Sequence, residues 1–237
     1  MITSLVAIAC GVVAVWHWRR ARIPIWRGLG LRFDIRAGLD MGAGVAIGAL
    51  VMGGIFAVEW ALGALHVSGL RAPDAAFATW LVLLALFAFG EELVFRSLML
   101  SGLVVLLRKQ WLAVLVMAAV FGLAHVGNPN ASVLSVVGNA LGGIMYAVAF
   151  LGSKNVWLPT GLHFAWNFFQ GPVLGFPVSG LDMGGLVQQT AGGPNWLTGG
   201  AYGPEAGLVG MTFRFVAIAL LIGWLACTGW RWRNVET

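Results

Sequence analysis

Between residues 89 and 100 the chain reads FGEELVFRSLML, which sets Glu91, Glu92 and Arg96 inside an otherwise apolar run. Ionised side chains in such surroundings are costly, and they persist where they pair with one another or take part in function. On a helix Glu92 and Arg96 stand four residues apart on one face, the spacing of an ion pair. Glu91 lies about 100° around the helix from Glu92. It is left without a local partner, as a carboxylate able to take up a proton. The bland alternative is a purely structural charge cluster that holds helices together. For ionisable residues within a membrane the functional reading is the default.

Two histidines add to the set. FGLAHVGNPN places His125 where an apolar segment runs out, and TGLHFAWNFF places His163 inside another, with Asn167 four residues on and on the same face. His17, in a basic flank, and His66, in a connection, hold ordinary interfacial positions. A lone histidine on an apolar helix is usually a packing residue, but two of them beside a carboxylate pair and an asparagine are harder to attribute to packing. A carboxylate and an imidazole together can bind and deprotonate a water, and a second histidine with an asparagine can donate to the oxyanion of a tetrahedral intermediate. Those are the parts for hydrolysing an amide without a covalent intermediate. There is no G-x-S-x-G turn, Cys10 and Cys227 lie far from these motifs, and H-E-x-x-H is absent. A serine or cysteine nucleophile and a standard zincin are thereby disfavoured.

The elements that must carry these residues are membrane helices. Of 237 residues, 59% are hydrophobic and 10% charged, whereas a soluble domain carries about a quarter charged residues. Seven apolar segments, roughly 1–18, 39–65, 77–107, 111–126, 132–151, 156–173 and 207–229, approach or exceed the length needed to cross the hydrocarbon core. The third is too long for one straight perpendicular span and must tilt, kink or hide a break. The expected fold is therefore an all-α polytopic transmembrane bundle of seven or eight spans. Four regions follow: N-terminal helices and a basic loop over 1–76, a helical core over 77–173, a Gly-rich loop over 174–206, and a last helix with a basic tail over 207–237. The loop, with Pro177, Pro194 and Pro204 among its glycines, cannot form a spanning helix. It is read either as a connector or as a lid. The Met1–Trp16 run has neither a positive n-region nor a cleavage site, so it is read as a first span.

The sequence isoelectric point is near 10, yet almost all basic residues flank apolar segments, so nucleic acid is not an expected partner. Trp16, Trp18, Trp80, Trp111, Trp157 and Trp230 sit near segment ends, as an aromatic belt requires.

Glu91-Glu92-x-x-x-Arg96, Phe121-x-x-x-His125 and His163-x-x-x-Asn167, in this order on separate apolar segments, resemble the three motifs of the CPBP (CaaX protease and bacteriocin-processing, or Abi) family, intramembrane endopeptidases that include the type II CaaX prenyl endopeptidases. The resemblance spans residues 77 to 170, and GFPVSG and WLTGGAYGPE also look typical of bacterial members. It implies that Glu91 and His125 activate the water, that Glu92 with Arg96 orients and neutralises, and that His163 with Asn167 forms the oxyanion site. The partners implied are a membrane-associated protein or peptide substrate and the lipid bilayer. One departure is Ser97, where the family commonly has Gly; being small, it is expected to preserve close helix packing. Family members are often labelled metalloproteases, and Glu91, His125 and His163 are sufficient ligands for a divalent metal such as zinc. However, His163 shares its face with Asn167, a poor zinc ligand and a good oxyanion donor. The expectation therefore leans towards a metal-independent His163.

Two other readings stand beside the endopeptidase: a proton- or ion-coupled transporter relaying through the same carboxylates and histidines, and a non-enzymatic immunity or scaffold protein. The transporter lacks visible repeat symmetry and paired broken helices. One tension is geometric. Counted along straight helices at about 1.5 Å per residue, His163, His125 and Glu91 would lie roughly 10, 20 and 24 Å from the basic side, so the helices must tilt or break for them to meet.

Lys and Arg divide eleven to one between alternating connections: Arg19, Arg20, Arg22, Arg27, Arg32, Arg36, Arg108, Lys109, Lys154, Arg231 and Arg233 on one side, Arg71 on the other. The positive-inside rule makes this a multi-pass cell-membrane protein with its N-terminus outside and its C-terminus cytoplasmic. Reporters fused near residue 30, at residue 109 and at the C-terminus are expected to read as cytoplasmic, and one in the 174–206 loop as external. An external reading near residue 30 would overturn the assignment.

Overall fold

The computed structural model describes residues 2–228; Trp230, Arg231 and Arg233, which entered the topology reading, lie outside them. Helix α1 (Ile2–Arg20) leads through a short α2 (Ile25–Gly28) into α3 (Ile35–Ala61), which starts at Asp34, whose side chain accepts from the Ala37 N–H. A strand, β1 (Leu65–Leu70), follows, and then α4 (Ala75–Glu92), capped by Asp74 in the same way on the Phe77 N–H. These aspartates satisfy amide groups that a helix N-terminus leaves free. Beyond Glu92 the backbone widens into a π-helix over Leu93–Leu100 and tightens again as α5 (Ser101–Leu107). Next come α6 (Gln110–Ala124), α7 (Val133–Ser153) with a Ser132–Ser135 capping box, and α8 (Trp157–Phe168), continued by a π-helical turn over Phe169–Val173. The connection to the last helix, α10 (Leu208–Cys227), contains β2 (Val187–Ala191) and a short α9 (Asn195–Thr198).

Each of the seven apolar segments is helical over most of its described residues, and the protein is a helical membrane bundle. Among the described residues four helices are long and apolar enough to cross a membrane: α3, the continuous 33-residue helix Ala75–Leu107, α7 and α10. Helix α6 is apolar but spans only 15 residues. Leu5, Ile8 and Val12 of α1 and Val82, Leu86 and Phe87 of α4 are exposed in rows, the surface that lipid covers in a chain of this composition. Met52, Ile55, Met145, Leu162, Trp166 and Leu221 fill the interior.

The 174–206 connection is not free of regular structure. β2 pairs antiparallel with β1, Leu65 opposite Ala191 and Leu70 opposite Val187, with an irregularity between Val67 and Gly69. Helix α3 ends at Ala61, short of the expected residue 65, because Gly63 turns with φ 68° and the chain enters the strand. Since α3 rises from the basic loop and ends at β1, this ribbon and the Gly-rich connection lie on the face opposite the basic loops.

Helices α3 and α8 run parallel and nearly touch through glycines. A Cβ on Gly44 would collide with the Leu158 carbonyl oxygen, and one on Gly48 would sit 2.7 Å from the Ala165 Cβ. Small residues at such crossings let dispersion act where lipid offers no hydrophobic gain. At the basic end, buried Asp40 accepts from Arg36 Nε at 3.0 Å, Asn155 Nδ2 at 2.7 Å and Trp224 Nε1 at 2.7 Å, tying α3 to the α7–α8 turn and α10. Gly44→Val is expected to lower stability by roughly 1–3 kcal/mol, the usual cost of overpacking. Gly53→Ala, where a Cβ meets nothing within 4 Å, should be neutral or stabilising. Thermal unfolding of the two variants in detergent checks the contrast.

Candidate active site

Glu92 is fully buried and has two partners. Its Oε1 accepts from His163 Nδ1 at 2.7 Å, and its Oε2 lies 3.2 Å from Arg96 Nε. The second contact is close in distance but poorly aligned: none of the three Arg96 guanidinium nitrogens has a hydrogen-bond acceptor. The cation instead packs against aromatic faces, its central carbon 4.4 Å from the Phe121 ring, 4.9 Å from Tyr146 and 5.8 Å from Phe95. Desolvated cation–π contacts of this kind contribute about 2 kcal/mol. The expected ion pair is thus present as a pair of charges, with an aromatic cage in place of hydrogen bonds.

The π-helix that begins one residue after Glu92 carries Arg96 and Ser97, both buried. Such stretches insert a residue into the turn and often mark functional sites. This one lies within the overlong third segment, which runs through it as one helix. Ser97 donates to the Leu29 carbonyl at 2.6 Å, so the small residue at this position fastens the long helix to the basic loop.

His125 occupies the C-cap of α6, and its Nδ1 lies 2.7 Å from the Phe121 carbonyl oxygen. A carbonyl only accepts, so Nδ1 carries the proton and Nε2 has the free lone pair. The same logic applies at His163: Nδ1–H donates to the Glu92 carboxylate, leaving Nε2 for other work. The Tyr146 ring stacks on the His163 ring at 4.6 Å and 21°, holding its plane.

Glu91, His125, His163 and Asn167 all line one cavity of about 480 Å³. Glu91 is half-buried with Oε2 unpartnered, and the Asn167 amide makes no side-chain hydrogen bond among the described residues. The residues meet in this cavity although their depths counted along straight helices differ. Glu92 and Arg96 stand behind the cavity, out of its lining. A larger hollow of about 740 Å³ at the basic face, bordered by Trp26, Arg27, Phe33 and Lys154, has no such grouping of catalytic types.

The cavity also holds residues that the sequence reading did not single out. Val178, Ser179, Leu181, Met183 and Glu205 of the Gly-rich connection form one wall. Ser179 donates to Glu205 from its backbone N at 2.7 Å and from Oγ at 3.1 Å, and Asn139 donates to the Tyr202 hydroxyl at 2.7 Å. Arg214 of α10 lines the cavity too. Its signal was present in the sequence as a charge inside the seventh apolar segment.

Residues 73–169 match the family model described as Type II CAAX prenyl endopeptidase Rce1-like. This segment is thus similar to Rce1-like domains. It contains Glu91, Glu92, Arg96, His125, His163 and Asn167, while Ser179, Glu205 and Arg214 lie beyond the match. No curated protein and no solved structure matches the chain.

Glu91, His125 and His163 share the cavity, and the Glu92 contact at Nδ1 leaves His163 Nε2 free. No three His, Cys, Asp or Glu residues among those described are gathered closely enough to hold one ion. As arranged, the side chains do not form a zinc ligand set.

Removing Arg96 would strand the buried Glu92 charge, so Arg96→Ala is expected to cost roughly 3–5 kcal/mol and to reduce accumulation in membranes. Glu91→Gln, which touches neither partner of Glu92, should accumulate and unfold like the parent. A healthy Arg96→Ala beside a failing Glu91→Gln, compared by membrane yield and thermal unfolding, would reverse the roles.

Proposed function

We propose that this protein cleaves a peptide bond of a membrane-associated protein or peptide, using a water held by Glu91 and His125. The Rce1-like match supports an intramembrane endopeptidase in general. The observation that carries the finer reading is that Glu91, His125, His163 and Asn167 line a single cavity.

In this mechanism the water sits between the unpartnered Glu91 oxygen and His125 Nε2, either of which can accept its proton. The hydroxide attacks the scissile carbonyl carbon. The resulting oxyanion is met by the Asn167 amide and by His163 Nε2–H, with the imidazole in its doubly protonated form beside the Glu92 carboxylate. Glu92 and Arg96 act as positioning residues: Glu92 holds the His163 ring, and Arg96 balances the Glu92 charge. The proton gained by Glu91 or His125 then passes to the leaving amine as the tetrahedral intermediate collapses. No step is routed through a metal.

Access is proposed from the side. Phe87 is exposed on the apolar surface of α4 and also lines the cavity, together with Leu84. A peptide segment arriving within the bilayer would therefore meet the cavity between α4 and α6. With the basic loops cytoplasmic, the Gly-rich wall would face outwards.

Comparison of membrane and secreted peptides in cells carrying the parent protein and Glu91→Gln tests the reading. A cleaved product seen only with the parent is expected. An unchanged peptide set accompanied by altered ion flux would favour a transporter. Treating the purified parent with a chelator should leave cleavage of that product intact; loss on stripping and return with stoichiometric zinc would overturn the metal-independent mechanism.

A further inference from the structure

Arg214 is a buried charge that the hydrolytic steps do not use. It is 3% exposed and lies over two glycines of α7: a Cβ on Gly142 would come within 3.5 Å of its guanidinium carbon, and one on Gly138 within 3.0 Å of Nη1. The Trp166 ring lies 5.0 Å from the guanidinium carbon. Nη1 donates to the Gly138 carbonyl and stands 3.5 Å from the Glu205 backbone oxygen. On the other edge, Nε is buried without an acceptor and Nη2 makes no hydrogen bond among the described residues.

Nor does the charge form a direct ion pair among the described residues. Among the described residues no carboxylate oxygen lies within 4.0 Å of the guanidinium. The Glu205 carboxylate borders the same cavity but is held by Ser179. A desolvated guanidinium is costly unless it is paired and hydrogen-bonded. Its free Nε–Nη2 edge has the spacing that a carboxylate meets with two parallel hydrogen bonds.

We propose that Arg214 is a specificity-determining residue that takes a carboxylate of the substrate peptide on its Nε–Nη2 edge. This rests on the hydrolytic reading of the cavity and adds a substrate requirement to it. The carboxylate belongs either to the chain terminus or to an acidic side chain, and it competes with the field of Glu205 for the same cation. Gly138 leaves room for Nη1, and the Trp166 ring packs against the guanidinium, so the fork is set before substrate arrives.

Matched apolar nonapeptides distinguish the sources: one amidated, one with a free C-terminal carboxylate, and two amidated forms with a single internal Glu or Gln. Each is titrated calorimetrically into the full chain carrying Glu91→Gln in nanodiscs. One carboxylate form should bind at least about tenfold more tightly than its neutral match, the range expected for a charge-assisted pair. Which form it is identifies the source. Arg214→Gln should abolish the difference, and Arg214→Lys, which keeps the charge but loses the fork, should keep part of it. Equal affinities of acid and neutral peptides for the Arg214-bearing protein, or no binding of any of them, overturn the proposal without recourse to a variant that fails to fold. A parent protein that cleaves none of these peptides while still preferring a carboxylate would sink the hydrolytic reading and leave the anion site standing.

Discussion

One carboxylate, that of Glu92, organises the interior of this bundle. It is fully buried, and in such surroundings an unpaired carboxylate would sooner neutralise than stay charged. Arg96 from its own helix and His163 from α8 meet its two oxygens. Glu92 therefore locks α4 to α8 and holds the Nδ1–H of His163. Phe121 and Tyr146, which cage Arg96, also touch the histidines: Phe121 lies 4.7 Å from His125, and Tyr146 stacks on His163. Charge, ring plane and helix position are thus fixed by one contiguous group.

Glycine supplies the space in which polar groups are paired. At the α3–α8 crossing it brings backbones together, and at Gly138 of α7 it admits the Glu205 carbonyl and Arg214 Nη1. In both cases the missing side chain is occupied by a neighbour and not by a void. At the basic end the Asp40 cluster works with donors from three elements. Asp40 and Glu92 sit where helices meet, which is where a lipid-embedded chain can best supply partners.

The legible parts of the site were local ones. Four-residue spacing announced the Glu92–Arg96 pair and the shared face of His163 and Asn167, and the end of an apolar run placed His125 at a helix terminus. The Glu92–His163 bond joins residues 71 apart, and no periodicity encodes it. The π-helix was foreshadowed only by a segment too long to be straight. β1 and β2 were missed because short strands between membrane helices leave little pattern, and their pairing crosses most of the chain. Arg214 was readable by the same rule that singled out Glu91, a charge within a span, but Gly138, which admits its Nη1, belongs to another helix.

The pairing of β1 with β2 also has a meaning in time. A nascent chain delivers α4 to α8, with both glutamates and both histidines, before the connection that walls the cavity has been made. β1 waits for a partner some 120 residues downstream, as the Ser68 bond to Gln188 measures, and Arg214 follows with α10, last of all. Domains acquire structure from the N-terminus during synthesis, so the inner charge group can settle while the cavity is still open on one side. Completion of the enclosed chamber is then a late event of biogenesis, bound to the arrival of the final helix.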